Sequence, residues 1–163
     1  MRKPRLVILR GKPTAGKSTA YQILRYDHRM FKWIFIDHAN FKTVLGKEEG
    51  KKVLFDSLKI ILRNKPDIMI EEMSRETIMK TIGKEVKKYN YKIIVFQFEI
   101  SLETAYLRNL QRAKDKWHPF MKKEEMEKLH KMHEEKFDKR AILVDCNKLN
   151  KKQVVEFIVR KLR

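Results

Sequence analysis

Three observations predict an α/β protein of three layers, α/β/α, around a five-stranded parallel sheet. Five short apolar runs alternate along the chain with longer stretches of helical periodicity. Strands alternating with helices pair in parallel, through right-handed crossovers that cover both sheet faces. The first apolar run opens directly into a glycine-rich loop and then a helix. Several helical stretches also begin at capping residues: Ser74, Ser101 and the box Asn150-Lys151-Lys152-Gln153. At 163 residues the chain is long enough for one domain with a core, taken here as residues 1–163.

The elements follow in order. Strand one covers about Arg5 to Arg10, with Leu6-Val7-Ile8-Leu9 reading as a strand buried on both faces. A loop precedes helix one, which carries Ala20, Ile23 and Leu24 at helical spacing and ends near Tyr26. Lys32-Trp33-Ile34-Phe35-Ile36 forms strand two, closed by Asp37, and Trp33 is expected in the core. A polar patch, His38 to Lys47, leads to a helix over Glu49–Leu62 with Val53, Leu54, Leu58, Ile61 and Leu62 on one face. Asn64-Lys65-Pro66 stops it. Strand three is Asp67-Ile68-Met69-Ile70, ending at Glu71-Glu72. Ser74 caps a helix reaching Tyr89, with Ile78, Ile82 and Val86 four apart. Strand four runs from Tyr91 to Ile100. Ser101 caps a helix to about Lys114, followed by a basic irregular segment to Phe120. Another helix covers Lys123–Asp138, strand five is Ala141-Ile142-Leu143-Val144, and a last helix carries Val154, Val155, Ile158 and Leu162.

Composition narrows the setting. Hydrophobic residues make up 42% of the chain, and no apolar stretch approaches the roughly 18 residues of a membrane span. Met1-Arg2-Lys3-Pro4-Arg5 runs straight into strand one, leaving no room for a signal peptide. Cys146 stands alone, so no internal disulfide is possible, which suits a reducing, cytoplasmic setting. Lys and Arg number 39 against 21 Asp and Glu, a net charge of +18. Nucleic acid favours such an imbalance through phosphate neutralisation and counterion release. A heat-adapted Lys/Glu-rich surface accounts better for the charged fraction of 37% than for its sign.

The chemistry centres on Gly11-Lys12-Pro13-Thr14-Ala15-Gly16-Lys17-Ser18, followed by Thr19. This is G-x-x-x-x-G-K-S, the phosphate-binding P-loop (Walker A), in the strand–loop–helix context it requires. Its backbone N–H groups and the helix N-terminus point at an anion. Lys17 is expected to reach the β/γ-phosphates of ATP or GTP, and the Ser18 hydroxyl to ligate Mg²⁺. Ligands in such folds sit beyond the carboxyl ends of the strands, so Asp37 and Glu71-Glu72 share a rim with the loop. Phosphoryl transfer needs a group to orient or deprotonate an acceptor hydroxyl. Asp37 is the candidate for that task. Glu71 or Glu72 stands where an acid would hold Mg²⁺ through water, and the sequence does not choose between them.

Arg108 and Arg112, one helical turn apart, enter a segment rich in Lys114, Lys116, Lys122 and Lys123. An arginine swung over a triphosphate stabilises transition-state charge. His130 and His133 sit at i, i+3, but no acid or cysteine nearby completes a metal site. His133 also falls on the Met126–Leu129–Phe137 face, so packing is the expectation. Trp117, beside His118, is placed either to stack a base or to pack the lid.

These residues carry a family resemblance. The P-loop on strand one, the acid closing strand two and Arg108-Asn109-Leu110-Gln111-Arg112 before a proline-containing lid (about 108–125) resemble the 5′-hydroxyl polynucleotide kinase group of small P-loop kinases. Chloramphenicol phosphotransferase, zeta toxins and gluconate kinase are wider relatives. The resemblance spans most of the chain and implies a P-loop NTPase fold. It implies that Lys17 and Ser18 hold donor phosphate and Mg²⁺, that Asp37 is the general base, and that Arg112 contacts the donor phosphates with support from Arg108. One departure stands out. The group carries an arginine three residues after the aspartate, for the acceptor's phosphate; here that position is Asn40, with Lys42 or Arg75 as substitutes.

The sequence reading is therefore an Mg²⁺- and ATP-dependent kinase whose acceptor is the 5′-hydroxyl of a nucleic acid. Two rivals remain. One is a kinase of small molecules such as nucleosides, nucleotides, sugars or antibiotics. The other is a nucleotide-dependent nucleic-acid-binding module with water as its only phosphate recipient.

Overall fold

A computed structural model describes residues 2–114, 120–135 and 137–163. Strands β1 (Arg5–Gly11), β2 (Ile34–Asp37), β3 (Ile68–Glu71), β4 (Lys92–Glu99) and β5 (Ile142–Asp145) form one sheet in the order β2-β3-β1-β4-β5. Every pairing is parallel. The strand carrying the glycine loop is thus central, flanked by β3 and β4.

β1 shows why the sheet must be covered on both sides. Val7 and Leu9 join a core with Phe96, Phe98, helix α1 (Lys17–Arg25) and the final helix α7 (Lys151–Leu162). Leu6 and Ile8, on alternate positions, join Leu54, Leu58, Ile78 and Ile82 of α3 (Lys47–Leu62) and α4 (Arg75–Lys88). Leu6 to Leu9 are all fully buried, as a run apolar on both faces requires. Two further helices, α5 (Leu102–Arg112) and α6 (Lys123–Glu135), follow β4. No helix among the described residues is long and apolar enough to cross a membrane.

The caps read from sequence are present. The Ser74 and Ser101 side chains accept from Thr77 and Thr104 N–H, and Asn150 and Gln153 make the reciprocal box at α7. Three local expectations are corrected. The polar patch after strand two is a helix, α2 (His38–Leu45), because Asp37 caps it by accepting from the Ala39 and Asn40 N–H groups. Gly46 then turns the chain with φ 81° so that α3 starts at Lys47 rather than Glu49. Trp33 packs against the core, as expected, but precedes β2 and is only partly buried, its ring lying under the Arg5 guanidinium at 4.5 Å. An indole that packs beside a cation gains electrostatic attraction without full burial.

Candidate active site

The glycine loop joins the end of β1 to the start of α1. Gly11 has φ 143°, and a Cβ there would stand 2.2 Å from the Phe98 carbonyl oxygen of β4, so no other residue fits this approach. Gly16 caps α1 in the left-handed region, φ 91°, with open space around it. Unlike α2, α4, α5 and α7, helix α1 has no side-chain cap, so its first-turn N–H groups are not claimed by a capping side chain. That is a helix N-terminus arranged for an anion. Thr14, at φ 57°, donates from its hydroxyl to the Ala105 carbonyl and ties the loop to α5.

The cations of the loop are held by protein groups. The buried Lys17 ammonium donates to the Lys12 carbonyl at 2.9 Å and pairs with Glu72 at 3.1 Å. Lys12 pairs with Glu134 of α6 at 2.9 Å and with Glu99 at 3.1 Å. Burial opposes the charge on Lys12, but its hydrogen bonds to Glu134 and Glu99 outweigh burial and raise its pKa. Glu72, at φ 62°, occupies a left-handed conformation that costs a non-glycine residue about 1 kcal/mol. Strain of that kind gathers at functional positions.

The structure separates the two glutamates. Glu71 is the last residue of β3 and is buried, and Ser18 Oγ donates to its Oε1 at 2.5 Å. Burial pushes its carboxyl pKa up; the Ser18 hydrogen bond opposes the shift, and Glu72 adds to it. In the register of the sheet Asp37 stands beside Glu71, and Glu71 beside Leu9. Aligned residues of a parallel sheet share a face, so both carboxylates lie on the face of α1 and the loop. Asp37 Oδ1 is engaged in capping α2.

Two cavities lie near this line, although Ser18, Glu71 and Asp37 themselves line neither. The larger, about 600 Å³, lies between the loop, α5 and α7, and is lined by Thr14, Ala15, Gly16, Thr19, Arg108 and Arg112 among others. Arg108 also donates to the Cys146 carbonyl at 2.8 Å. The smaller, about 320 Å³, opens on the other side between β1, α3, α4 and α6. Its charged lining is Arg10, Lys47, Lys51, Glu48 and Glu72, joined by His38 and His133.

The residues expected to bind substrate fall elsewhere in part. Arg75 is held by Asp138 at 2.8 Å and lines a neighbouring groove, not the smaller cavity, because that carboxylate captures its guanidinium. Asn40 lies in the exposed first turn of α2. Lys42 is also in α2, and its side chain lies outside the described residues, as do Lys116, Trp117 and His118. The packing role expected of His133 falls to His130, which is buried, while His133 is half-buried at the smaller cavity. Burial lowers both imidazole pKa values, helped by Lys12 for His130 and by Lys17 and Arg10 for His133. Sequence reasoning missed Lys47 and Lys51. Their signal was present: a glycine before a helix whose first face carries lysines at i and i+4.

No three Asp, Glu, His or Cys side chains among the described residues gather to hold a metal ion unaided. A magnesium ion here would need oxygens from a bound nucleotide, which is how that ion commonly sits in phosphoryl-transfer sites.

No family model and no curated protein matches the chain. Solved structures do. A candidate kinase from Chloroflexus aurantiacus superposes with a TM-score of 0.69 at 16% identity, over 99% of this chain and 97% of that one. A gluconokinase from Sinorhizobium meliloti gives 0.59 at 13%, over 99% and 95%. A chain of the Pnkp1/Rnl/Hen1 RNA repair complex gives 0.60 at 22%, over 86% of this chain and 48% of that one, so this chain spans about half its length. At these identities the likeness establishes the fold alone, the three-layer α/β/α arrangement these structures share with the chain.

Proposed function

We propose that the protein is a P-loop kinase that transfers the γ-phosphoryl of ATP to a hydroxyl, with the 5′-hydroxyl of a nucleic acid as acceptor. The observation that carries the reading is the line Ser18–Glu71–Asp37 beside the loop, with their chain neighbours Thr19 lining one cavity and His38 and Glu72 the other. Transfer requires donor and acceptor in line across such a centre.

The residues divide the work. The backbone of residues 11–16 and the α1 N-terminus cradle the donor phosphates, and Lys17 exchanges Glu72 for them. Arg108 and Arg112 line the larger cavity and supply charge to the donor. Ser18 and Glu71 would hold Mg²⁺, which when bound neutralises charge on the β- and γ-phosphates. Asp37 accepts the acceptor's proton through Oδ2 while Oδ1 continues to cap α2. The net charge of +18 and the cations of the smaller cavity favour a phosphate-bearing acceptor. Lys47 and Lys51 take the part that the resemblance gives to the arginine replaced by Asn40.

A small-molecule acceptor is the second reading, favoured by the modest volume of the smaller cavity, about 320 Å³. The test is transfer of labelled γ-phosphate from ATP to 5′-hydroxyl RNA and DNA, with 5′-phosphorylated strands as controls. Label on the 5′-hydroxyl strands alone is expected. ATP consumption with no labelled strand, and label on a nucleoside or sugar instead, overturns the acceptor assignment.

A further inference from the structure

The most exposed aromatic side chains described lie far from the site, in the connection between α1 and β2. Tyr26 is 80% exposed and Phe31 76%. Each has a cation at its ring: Arg25 at 5.9 Å from the Tyr26 centroid and Lys32 at 5.3 Å from that of Phe31. His28 between them is 93% exposed at its side chain.

The connection is tied to the body of the fold from beneath. Asp27 caps a single 3₁₀ turn, His28–Met30, and takes the Arg29 guanidinium at 2.6 Å. Glu156 of α7 takes the same guanidinium at 2.7 and 3.0 Å, and Met30 is buried in the core. Two aromatic rings are thus presented outward on a backbone pinned to α7. Rings that merely failed to find a core would not need such a mount.

The ground beside them is basic. A cavity of about 320 Å³ shares Arg29 and Met30 with the turn and is further lined by Arg2, Arg5 and Trp33. Arg2 and Arg5 there are paired with Asp67, and Arg29 with Asp27 and Glu156, so Arg25 and Lys32, the two cations at the exposed rings, are the ones left to meet a phosphate. Exposed rings interleaved with cations are the surface chemistry of single-stranded nucleic acid: bases stack on the rings while phosphates meet the cations. A membrane surface would share the cations, but it is served by an apolar helix face, and this patch is a polar turn.

We propose that Tyr26 and Phe31, with Arg25, His28 and Lys32, form a second contact for single-stranded nucleic acid at the end of the sheet opposite the glycine loop. The choice of ligand rests on the acceptor proposed above. α1 separates the two regions; its nine residues span about 14 Å. The patch therefore touches the body of a strand and not its reacting end. A dinucleotide is too short to bridge both.

The experiment measures anisotropy of 3′-labelled single strands about twelve nucleotides long, 5′-phosphorylated so that none turns over, against wild type and Tyr26→Ala/Phe31→Ala. Two lost stacks are expected to weaken binding by roughly tenfold or more. Tyr26→Phe/Phe31→Trp should restore it, and dinucleotide phosphorylation should not change. Both rings are exposed, so the melting temperature should hold. Equal binding by wild type and the alanine variant overturns the patch, even if 5′-hydroxyl strands are phosphorylated normally. Loss of binding in the variant, with no label ever appearing on 5′-hydroxyl strands, keeps the patch and overturns the acceptor reading. Ring-dependent binding to phosphatidylserine vesicles, with ring-independent binding to the strands, assigns the surface to membrane and also overturns the proposal.

Discussion

The two cavities beside the glycine loop are built differently. The larger has one wall of short neutral side chains from a single local motif, Thr14, Ala15, Gly16, Thr19 and Ala20, closed by Arg108, Gln111 and Arg112 of α5 and by the start of α7. The smaller is walled by polar and charged groups from five elements: Arg10 of β1, His38 of α2, Lys47 and Lys51 of α3, Thr77 of α4 and His133 of α6. The backbone recognises what every nucleotide shares, its phosphates, so a fixed local spacing suffices. An acceptor differs from one kinase to the next, and side chains brought from distant positions can vary to suit it.

Substitutions in each half should therefore fail differently. The largest effect is expected at Lys17→Ala, which removes the buried ammonium proposed to meet the donor phosphates. Transfer should fall by about 10³-fold, the cost of losing a preorganised charge partner. A rate near wild type would detach the loop from catalysis. Asp37→Asn should lower kcat by about 10²- to 10⁴-fold, the contribution of a positioned base. Asparagine caps helices as well as aspartate does, so ATP binding and melting temperature should stay put. Loss of ATP binding together with turnover would mark Asp37 as structural.

How much the sequence disclosed divides along the same line. The sheet, the loop and the caps at Ser74, Ser101 and Asn150 were readable because each depends on neighbours within a few residues. Helix α2 was not, since His38 to Leu45 has weak periodicity and is held by the Asp37 cap and by Phe41 packing against the core. Arg75 looked available from its position after Glu71-Glu72. Only the fold reveals that Asp138, 63 residues away, holds it. That Glu71, and not Glu72, meets the Ser18 hydroxyl is likewise visible only in the fold.

Lys47→Ala/Lys51→Ala sharpens the contrast from the acceptor side. It should raise KM for an anionic acceptor by roughly tenfold, flatten the dependence of KM on salt, and leave KM for ATP unchanged. An unaltered salt dependence would place acceptor recognition elsewhere.

The smallest effect concerns α6, which lies against the loop through Glu134 and Lys12. His130 sits buried there, facing Lys12, Lys17, Glu134 and Glu99, and its pKa is lowered, first by burial and then by the lysines. A folded pKa below the unfolded one means that the unfolded chain binds more protons as the pH falls. Stability from this group is therefore complete above about pH 6.5 and is lost as pH falls through the lower folded value. His130→Gln cannot take up that proton. Its melting temperature should fall less than that of wild type between pH 7 and pH 5, by a few degrees, at about 2–4 °C for each kcal/mol in a chain of this size. Parallel curves for the two proteins would show that His130 is charged or solvated in the fold. The contact of α6 with the loop would then be looser than the Lys12–Glu134 pair implies.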